Sequence, residues 1–480
     1  MDGFAMQQLN GLDALFAHNE RQHAPMHIAA LMVYTPQTTK HKKFRLQEVR
    51  NSIEQRLSVS PVFRRRLLTV PYNLDQPYWL EDETFNIDKH IHSHELTAKS
   101  SEADFHTLIA TLHAQPMDMS RPLWEAHVIH GLGRLSNYSK GSFGIYMKVH
   151  HAALDGVSGT DILAALHGIE PLAFKPGALP DTWAGETPPS QWAVSRNAYK
   201  NNLQKPLQLF RQARQLLPKL RQEIQEHGSD HTPGVSWQKS PFNTRIDAQR
   251  QVFVVRFDFS RLRAIRRAYP RTTVNHVILC IVGGALRSYL IQRNALPNNP
   301  LASLVPVNVR SKDLDNCGNA ISMLISNLRT DIEDPLQRLV AVRDAATSAK
   351  KRNDNIGRSS LSNIFRALPS SVEAAALRTL SALAYWPGGL PLPACTFVSN
   401  VPGPPIPLYF NDAKLVDMLG LGLIMDHVGL FHVAMSYNGV LSLSVLSSPK
   451  TLQDPALYQR CLEASFSALD QAMQRQANKT

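Results

Sequence analysis

Between Phe143 and His151 the chain alternates: Phe143, Ile145, Met147 and Val149 are apolar, and the positions between them are Gly144, Tyr146, Lys148 and His150. Side chains on a strand point to opposite faces in turn, so this period of two predicts a half-buried strand. Over residues 157–167 the spacing becomes that of a helix, with Gly168 placed to cap its C-terminus. Upstream, residues 28–34 and 124–130 read as strands and residues 45–57 as a helix. Downstream, residues 252–257 and 304–309 read as strands, residues 273–290 and 372–385 as helices, and residues 350–362 as a polar, mobile stretch. Asn438-Gly439 separates two alternating runs, residues 430–437 and 440–446, and predicts a tight hairpin turn between them.

These elements fall into two α/β stretches, residues 1–180 and 246–480, on either side of a Pro-rich, basic helical linker over residues 181–245. Pro171, Pro176, Pro180, Pro188 and Pro189 break regular structure at its start. Trp192, Tyr199, Leu203, Leu207, Phe210, Leu217 and Leu220 then recur at helical distances among Arg196, Lys200, Lys205, Arg211, Arg214, Lys219 and Arg221. Pro206 and Pro218 predict kinks in that helix. The pattern fits either a solvated crossover helix packed by one face or a helix that docks on a membrane surface.

A length of 480 residues accommodates two or three domains, each with its own core. With 43% hydrophobic and 19% charged residues the chain is globular, which excludes simple disorder. Its net charge of +12 favours an anionic partner, whether nucleic acid, a phosphorylated molecule or an acidic membrane surface. Cys280, Cys317, Cys395 and Cys461 are far apart and form no CxxC pair, which argues against a zinc ribbon, a redox motif or a disulfide framework and for a reducing compartment. No basic N-terminal region leads into an apolar one, and the longest uninterrupted apolar stretch, residues 277–286, is far short of the ~20 residues that cross a membrane. A cytoplasmic protein without a transmembrane segment is expected.

Candidate chemistry concentrates in His150-His151-Ala152-Ala153-Leu154-Asp155-Gly156, where the alternating strand gives way to the helix. Neighbours on a strand face opposite ways, so only one of the two histidines enters a given cavity. His151 continues the apolar face, where weak hydration disfavours the imidazolium and leaves a neutral ring able to act as a base. His150 would orient or pack beside it. Asp155 lies close enough to fix local backbone or a charged partner, and Gly156 permits a tight turn at the helix start. A hydroxyl that attacks a carbonyl needs such a base within hydrogen-bond reach. A metal site on His150, His151 and Asp155 is disfavoured by the opposed faces, and a purely structural histidine pair is the plain alternative.

The segment HHAALDG resembles the HHxxxDG signature of coenzyme A-dependent acyltransferases, the superfamily of chloramphenicol acetyltransferase, plant BAHD enzymes and peptide-synthetase condensation domains. Within it the chain resembles the bacterial wax ester synthase/diacylglycerol acyltransferases. The matching places are Leu12-Asp13 with Pro25-Met26-His27; Phe63-Arg64-Arg65-Arg66-Leu67; Pro122-Leu123-Trp124; Pro306-Val307 with Arg310 and Gly318-Asn319; and Ser399-Asn400-Val401-Pro402-Gly403-Pro404. The resemblance spans nearly the whole chain. It implies an α/β fold of two chloramphenicol-acetyltransferase-like halves, each a mixed sheet flanked by helices, with a tunnel at their interface and His151 in its middle.

The activity so implied is acyl-CoA-dependent O-acyl transfer that makes wax esters, triacylglycerols or both, with His151 as general base, acyl-CoA as donor substrate, and neither cofactor nor metal. Asp155 is structural in that superfamily, with Arg310 a candidate partner. Where the family usually has Asn-Asp this chain has Asn275-His276, so Asn275 is expected either to shape the site or to serve as a polar residue at a helix N-terminus. Lys40, Lys42, Lys43 and Arg64 to Arg66 are candidate contacts for CoA phosphates, whereas Pro122-Leu123-Trp124 is expected to pack. The implied partners are acyl-CoA, a long-chain alcohol or diacylglycerol, and a peripheral membrane or lipid-droplet surface, without nucleic acid. The implied location is the cytoplasm, against the inner membrane or lipid inclusions. A catalytically silent lipid-binding protein and an acyltransferase for a small polar acceptor are the alternatives.

Overall fold

The computed structural model describes residues 6–9, 11–37, 46–57, 60–154, 166–171, 185–227, 240–308, 321–356 and 394–478. Their strands are β1 (His27–Pro36), β2 (Arg65–Leu68), β3 (Tyr78–Glu81), β4 (Ile91–Glu95), β5 (Trp124–His130), β6 (Phe143–His150), β7 (Gln251–Asp258), β8 (Ala302–Asn308), β9 (Ile321–Asn327), β10 (Thr396–Pro402), β11 (Tyr409–Phe410), β12 (Ala413–Leu421), β13 (Leu430–Tyr437) and β14 (Val440–Ser447). Two six-stranded sheets result, ordered β11-β12-β1-β6-β5-β4 and β7-β14-β13-β10-β8-β9, with β2 and β3 as a separate ribbon. Both sheets are mixed: β4 runs parallel to β5 in the first, and β10 runs parallel to β13 and β8 in the second.

The C-terminal half read along the sequence lends β11 and β12 to the first sheet. β12, from the C-terminal stretch, pairs antiparallel with β1 from Ala29 opposite Leu421 to Pro36 opposite Ala413, so the first sheet draws on both ends of the chain. Asp417 on β12 accepts hydrogen bonds from Arg256 on β7 at 2.6 Å and from the Tyr138 hydroxyl at 2.9 Å, which ties the second sheet to the first. Val254 on β7 shares a buried apolar cluster with Phe105 and Leu112 of the helix Glu102–Ala114 and Leu419 of β12.

The alternating segment forms β6, but it is not half-buried: all eight residues are buried, because β1 and β5 flank it and both faces are covered. The polar members of the alternation are paired rather than solvated. The Lys148 ammonium, fully buried, lies 2.8 Å from Glu125 and donates to the carbonyls of Leu112 and Gln115. The Tyr146 hydroxyl and His113 meet at 2.6 Å. Burial of a charge is tolerated only with partners of this kind.

Other expectations meet the structure unevenly. Tyr437 pairs with Val440 across Asn438 (φ 42°) and Gly439 (φ 88°), and two positive φ values in succession are what a type I′ hairpin turn demands. The helix Val274–Gln292 carries the longest apolar stretch. It is long and apolar enough to cross a membrane, yet Val277 to Leu286 are buried in the core of the second half. A Cβ on Gly283 would stand 2.1 Å from the Leu328 carbonyl oxygen, so only glycine permits this approach of helix to sheet end. Residues 350–356, read as mobile, are the last turns of the helix Pro335–Ile356. The linker helix, Gln191–His227, continues through Pro206 and Pro218 without interruption. The helices expected over 157–167 and 372–385 lie outside the described residues, apart from Leu166 and His167, and Gly168 bridges to Tyr409 in the first sheet.

Candidate active site

The motif begins at the end of β6. His150 is its last residue and pairs with His27 of β1, while His151 opens a 3-10 turn, His151–Leu154. Leaving the strand strands three successive backbone N–H groups, and each finds an acceptor. The His150 N–H donates to the Leu123 carbonyl at 3.0 Å, and the His151 N–H to the Met26 carbonyl at 2.8 Å. The Ala152 N–H donates to Nδ1 of the His150 ring at 3.1 Å. Two segments that carried the family resemblance, Pro122-Leu123-Trp124 and Pro25-Met26-His27, thus supply the carbonyls that fix the turn. Trp124 itself packs: it is fully buried, its indole N–H donates to the Phe63 carbonyl at 3.0 Å, and it stacks on His90.

His150 is fully buried. Because its Nδ1 accepts from Ala152, the proton of the neutral ring is assigned to Nε2, which faces the Glu20 carboxylate at 3.3 Å. His151 is half-buried, and its ring lies flat on Phe16 of the helix Gly11–Asn19, with centroids 3.8 Å apart and planes 19° apart. Phe16 contributes both to the core of the first half, with Met147 and Val149, and to a cluster with Phe397 and Phe431 of the second sheet. His151 therefore stands where the two halves meet.

Burial, and then the positive charge that His150 can carry, push the His151 pKa down to about 4, while a hydrogen bond to its own backbone opposes the shift. Only Nδ1 can reach the residue's own carbonyl, which assigns the proton to Nδ1 and makes Nε2 the basic nitrogen. A ring of that kind takes a proton from a substrate hydroxyl at neutral pH without first having to lose one.

Among the expected site residues, the structure joins His150 and His151. Asp155, Gly156 and Arg310 lie outside the described residues, as do Lys40, Lys42 and Lys43. Asn275 is on the first turn of the helix Val274–Gln292, which packs on the helices Pro335–Ile356 and Pro455–Ala477, and no described hydrogen bond or ring contact links it to His151. Its neighbour His276 completes a capping box: Nδ1 accepts from the Thr273 N–H at 3.3 Å, the job an acidic side chain usually does at this place in a helix. Arg65 and Arg66 are engaged with Glu81 and Asp82 of the β3 end, and Arg64 approaches Glu81, so this run is committed to holding the ribbon. No cluster of metal-ligating side chains occurs among the described residues.

Sequence reasoning passed over Phe16 and Glu20. Their spacing, four residues apart and just ahead of Pro25-Met26-His27, was the available signal, but nothing local says that this helix face meets the motif.

The family model described as the wax ester synthase/diacylglycerol acyltransferase catalytic domain matches residues 9–278, and the model of the WS/DGAT C-terminal domain matches residues 317–470. The chain belongs to the wax ester synthase/diacylglycerol acyltransferase family. It is accordingly an acyltransferase. A Mycobacterium tuberculosis family member, named as a probable diacylglycerol O-acyltransferase, is 29% identical over 472 residues, covering 96% of this chain and 98% of the relative. The O-acyltransferase WSD of Acinetobacter baylyi is 27% identical over 466 residues, covering 93% of each. The solved structure of the wax ester synthase/diacylglycerol acyltransferase from Marinobacter aquaeolei superposes with a TM-score of 0.68 at 24% identity, covering 98% of this chain and 100% of the other, and so shares its fold.

Proposed function

We propose that this acyltransferase moves a fatty acyl group from acyl-CoA to the hydroxyl of a long-chain alcohol, of a diacylglycerol, or of both, with His151 as the general base. The observation that carries the proposal is the His151 ring itself, neutral at physiological pH, half-buried at the junction of the halves and flattened on Phe16. Nε2 accepts the hydroxyl proton as the oxygen bonds to the thioester carbonyl carbon. The C–S bond then breaks, and the departing CoA sulfur takes the proton back from Nε2. The chain supplies both proton transfers, with no cofactor and no metal. His150 holds the turn, and an apolar tunnel along the junction would keep the acyl chain and water apart.

The second part of the reading concerns place. The inner face of the helix Gln191–His227 is tethered by polar side chains: Lys205 pairs with buried Asp75 at 2.6 Å, Asn201 donates to Asp75 at 2.7 Å, and Asn197 donates to the Tyr78 hydroxyl at 2.9 Å. Val194 and Ala198 pack inward with Val70 and Tyr78, but the large apolar side chains face out, with Trp192 69%, Tyr199 68%, Leu203 64% and Phe210 66% exposed. Arg196, Lys200, Arg211 and Arg214 are exposed along the same stretch, and no acidic residue precedes Glu223 in the helix. An apolar stripe set among cations complements an anionic lipid surface, which supports a peripheral position on the inner membrane or on lipid inclusions in the cytoplasm.

The test of the chemistry is CoA release from palmitoyl-CoA, followed with a thiol reagent, with hexadecanol or dipalmitoylglycerol as acceptor. Acceptor-dependent release should fall on the order of 10²–10⁴-fold in His151→Ala. Release by the wild type that survives this substitution would overturn the assignment of the base. Absence of release with either lipid acceptor would turn the reading toward a small polar acceptor or a silent lipid-binding protein.

A further inference from the structure

We propose that Glu20 is a positioning residue for acyl transfer: its carboxylate holds the Met26 backbone and stands against His150, and thereby fixes the turn that presents His151. The inference rests on the assignment of His151 as base.

One oxygen does both jobs. Glu20 Oε2 accepts the Met26 N–H and stands 3.3 Å from His150 Nε2. Met26 in turn accepts the His151 N–H through its carbonyl, and the His150 ring accepts the Ala152 N–H. The contacts close a circuit through both histidines: Glu20 to Met26 to His151 on one side, Glu20 to His150 to Ala152 on the other. Glu20 follows directly on the helix Gly11–Asn19, one turn beyond Phe16, so a single helix face meets the ring of His151 through Phe16 and the ring of His150 through Glu20. That helix packs against the 3-10 turn of the motif.

Stability alone does not explain a carboxylate here. The Glu20 side chain is 12% exposed, its Oε1 is buried with no hydrogen-bond partner among the described residues, and its contact with His150 Nε2 lacks straight hydrogen-bond geometry. A buried charge so incompletely met costs folding free energy. A site that must hold an imidazole to within a fraction of an ångström gains from the same arrangement, since small misplacements of a reacting group cost large factors in rate.

The experiment is a double-mutant cycle between Glu20→Ala and His150→Ala, read as kcat and KM for palmitoyl-CoA with hexadecanol and normalised to folded protein by circular dichroism. Glu20→Ala should lower kcat at least about tenfold and leave KM within about twofold, the split expected when an interaction matters in the transition state only. Glu20→Gln, whose amide oxygen can replace Oε2 toward the Met26 N–H and beside His150, should restore kcat to within about threefold. The double variant should be no slower than His150→Ala alone, because both changes break one coupled unit. Unchanged kcat in Glu20→Ala, or losses that multiply in the double variant, would overturn the proposal. If Glu20→Ala does not fold, Glu20→Asp, one methylene short of both contacts, takes its place in the same cycle. His151→Ala is run alongside: residual turnover there defeats the assignment of the base, whereas an inactive His151→Ala beside a fully active Glu20→Ala defeats only the role of Glu20.

Discussion

His151 and His150 are adjacent in sequence, yet the fold gives them different surroundings. His150 is sealed beneath the turn, with Nδ1 bonded to the Ala152 N–H and Nε2 facing Glu20, whereas His151 stays half-buried with one face on Phe16. Strand periodicity predicts that the two histidines part by face, and they do part, although His151 opens a 3-10 turn instead of continuing the apolar face of β6. The backbone acceptors were not legible, since Leu123 and Met26 come from segments remote in the chain. A pH dependence follows from the lowered His151 pKa. With that value near 4, the base form persists as pH falls from 7.5 to 5.5, and protonation removes it only on approach to pH 4. The expected kcat/KM profile is therefore flat over pH 5.5–7.5, measured in brief assays with palmitoyl-CoA, without the acid limb near 6.5 that a free imidazole would give. A limb centred near 6.5 would mean that the base is a more hydrated group.

At the scale of elements, the helix Gln191–His227 shows how periodicity can be right about structure and silent about direction. Apolar residues at helical distances predict a helix, and the usual consequence is that they face the core. Here the inner face is tethered by the Lys205–Asp75 pair beside small apolar Val194 and Ala198, and the large apolar side chains are left outward. Neither proline ends the helix. The expected outcome is that the protein floats with vesicles of phosphatidylcholine containing phosphatidylglycerol, and less with phosphatidylcholine alone. Trp192→Glu with Phe210→Glu should abolish flotation. Arg211→Ala with Arg214→Ala should weaken it at least about tenfold, given on the order of 1 kcal/mol for each cation near an anionic surface. CoA release from substrate dispersed in detergent should be unchanged in both, and flotation of the Glu variant like the wild type would assign the stripe to another partner. The helix Val274–Gln292 is the opposite case: its apolar stretch, residues 277–286, is turned into the core of the second half.

At the scale of the molecule, buried histidines make stability depend on pH. Burial pushes His113 down to about 3, and His127 and His432 down to about 4, while the unfolded chain binds protons on these rings near 6.5. Between about pH 6.5 and 4 the unfolded state thus holds more protons than the folded one, so stability is present above this window and is lost as pH falls through it. Each ring contributes at most about 1.4 kcal/mol per pH unit there. Urea midpoints should be level from pH 8 to 7 and decline steadily from 6.5 to 4.5. A midpoint that rises on acidification would contradict the burial of these rings as neutral species. The sequence by itself determined what depends on near neighbours in the chain: β6 and its terminal histidines, the Asn438-Gly439 hairpin, the capped apolar helix and the family. Tertiary structure alone decided what depends on remote partners. It decided that Lys148 is buried, because the helix Glu102–Ala114 covers that face; that Arg64 to Arg66 hold a ribbon, because β3 ends in acids; and that β12 completes the first sheet. It also brought Phe16 and Glu20 to the two histidines. Periodicity records which side of an element is apolar, whereas the identity of the group that meets that side is set by chain segments hundreds of residues away.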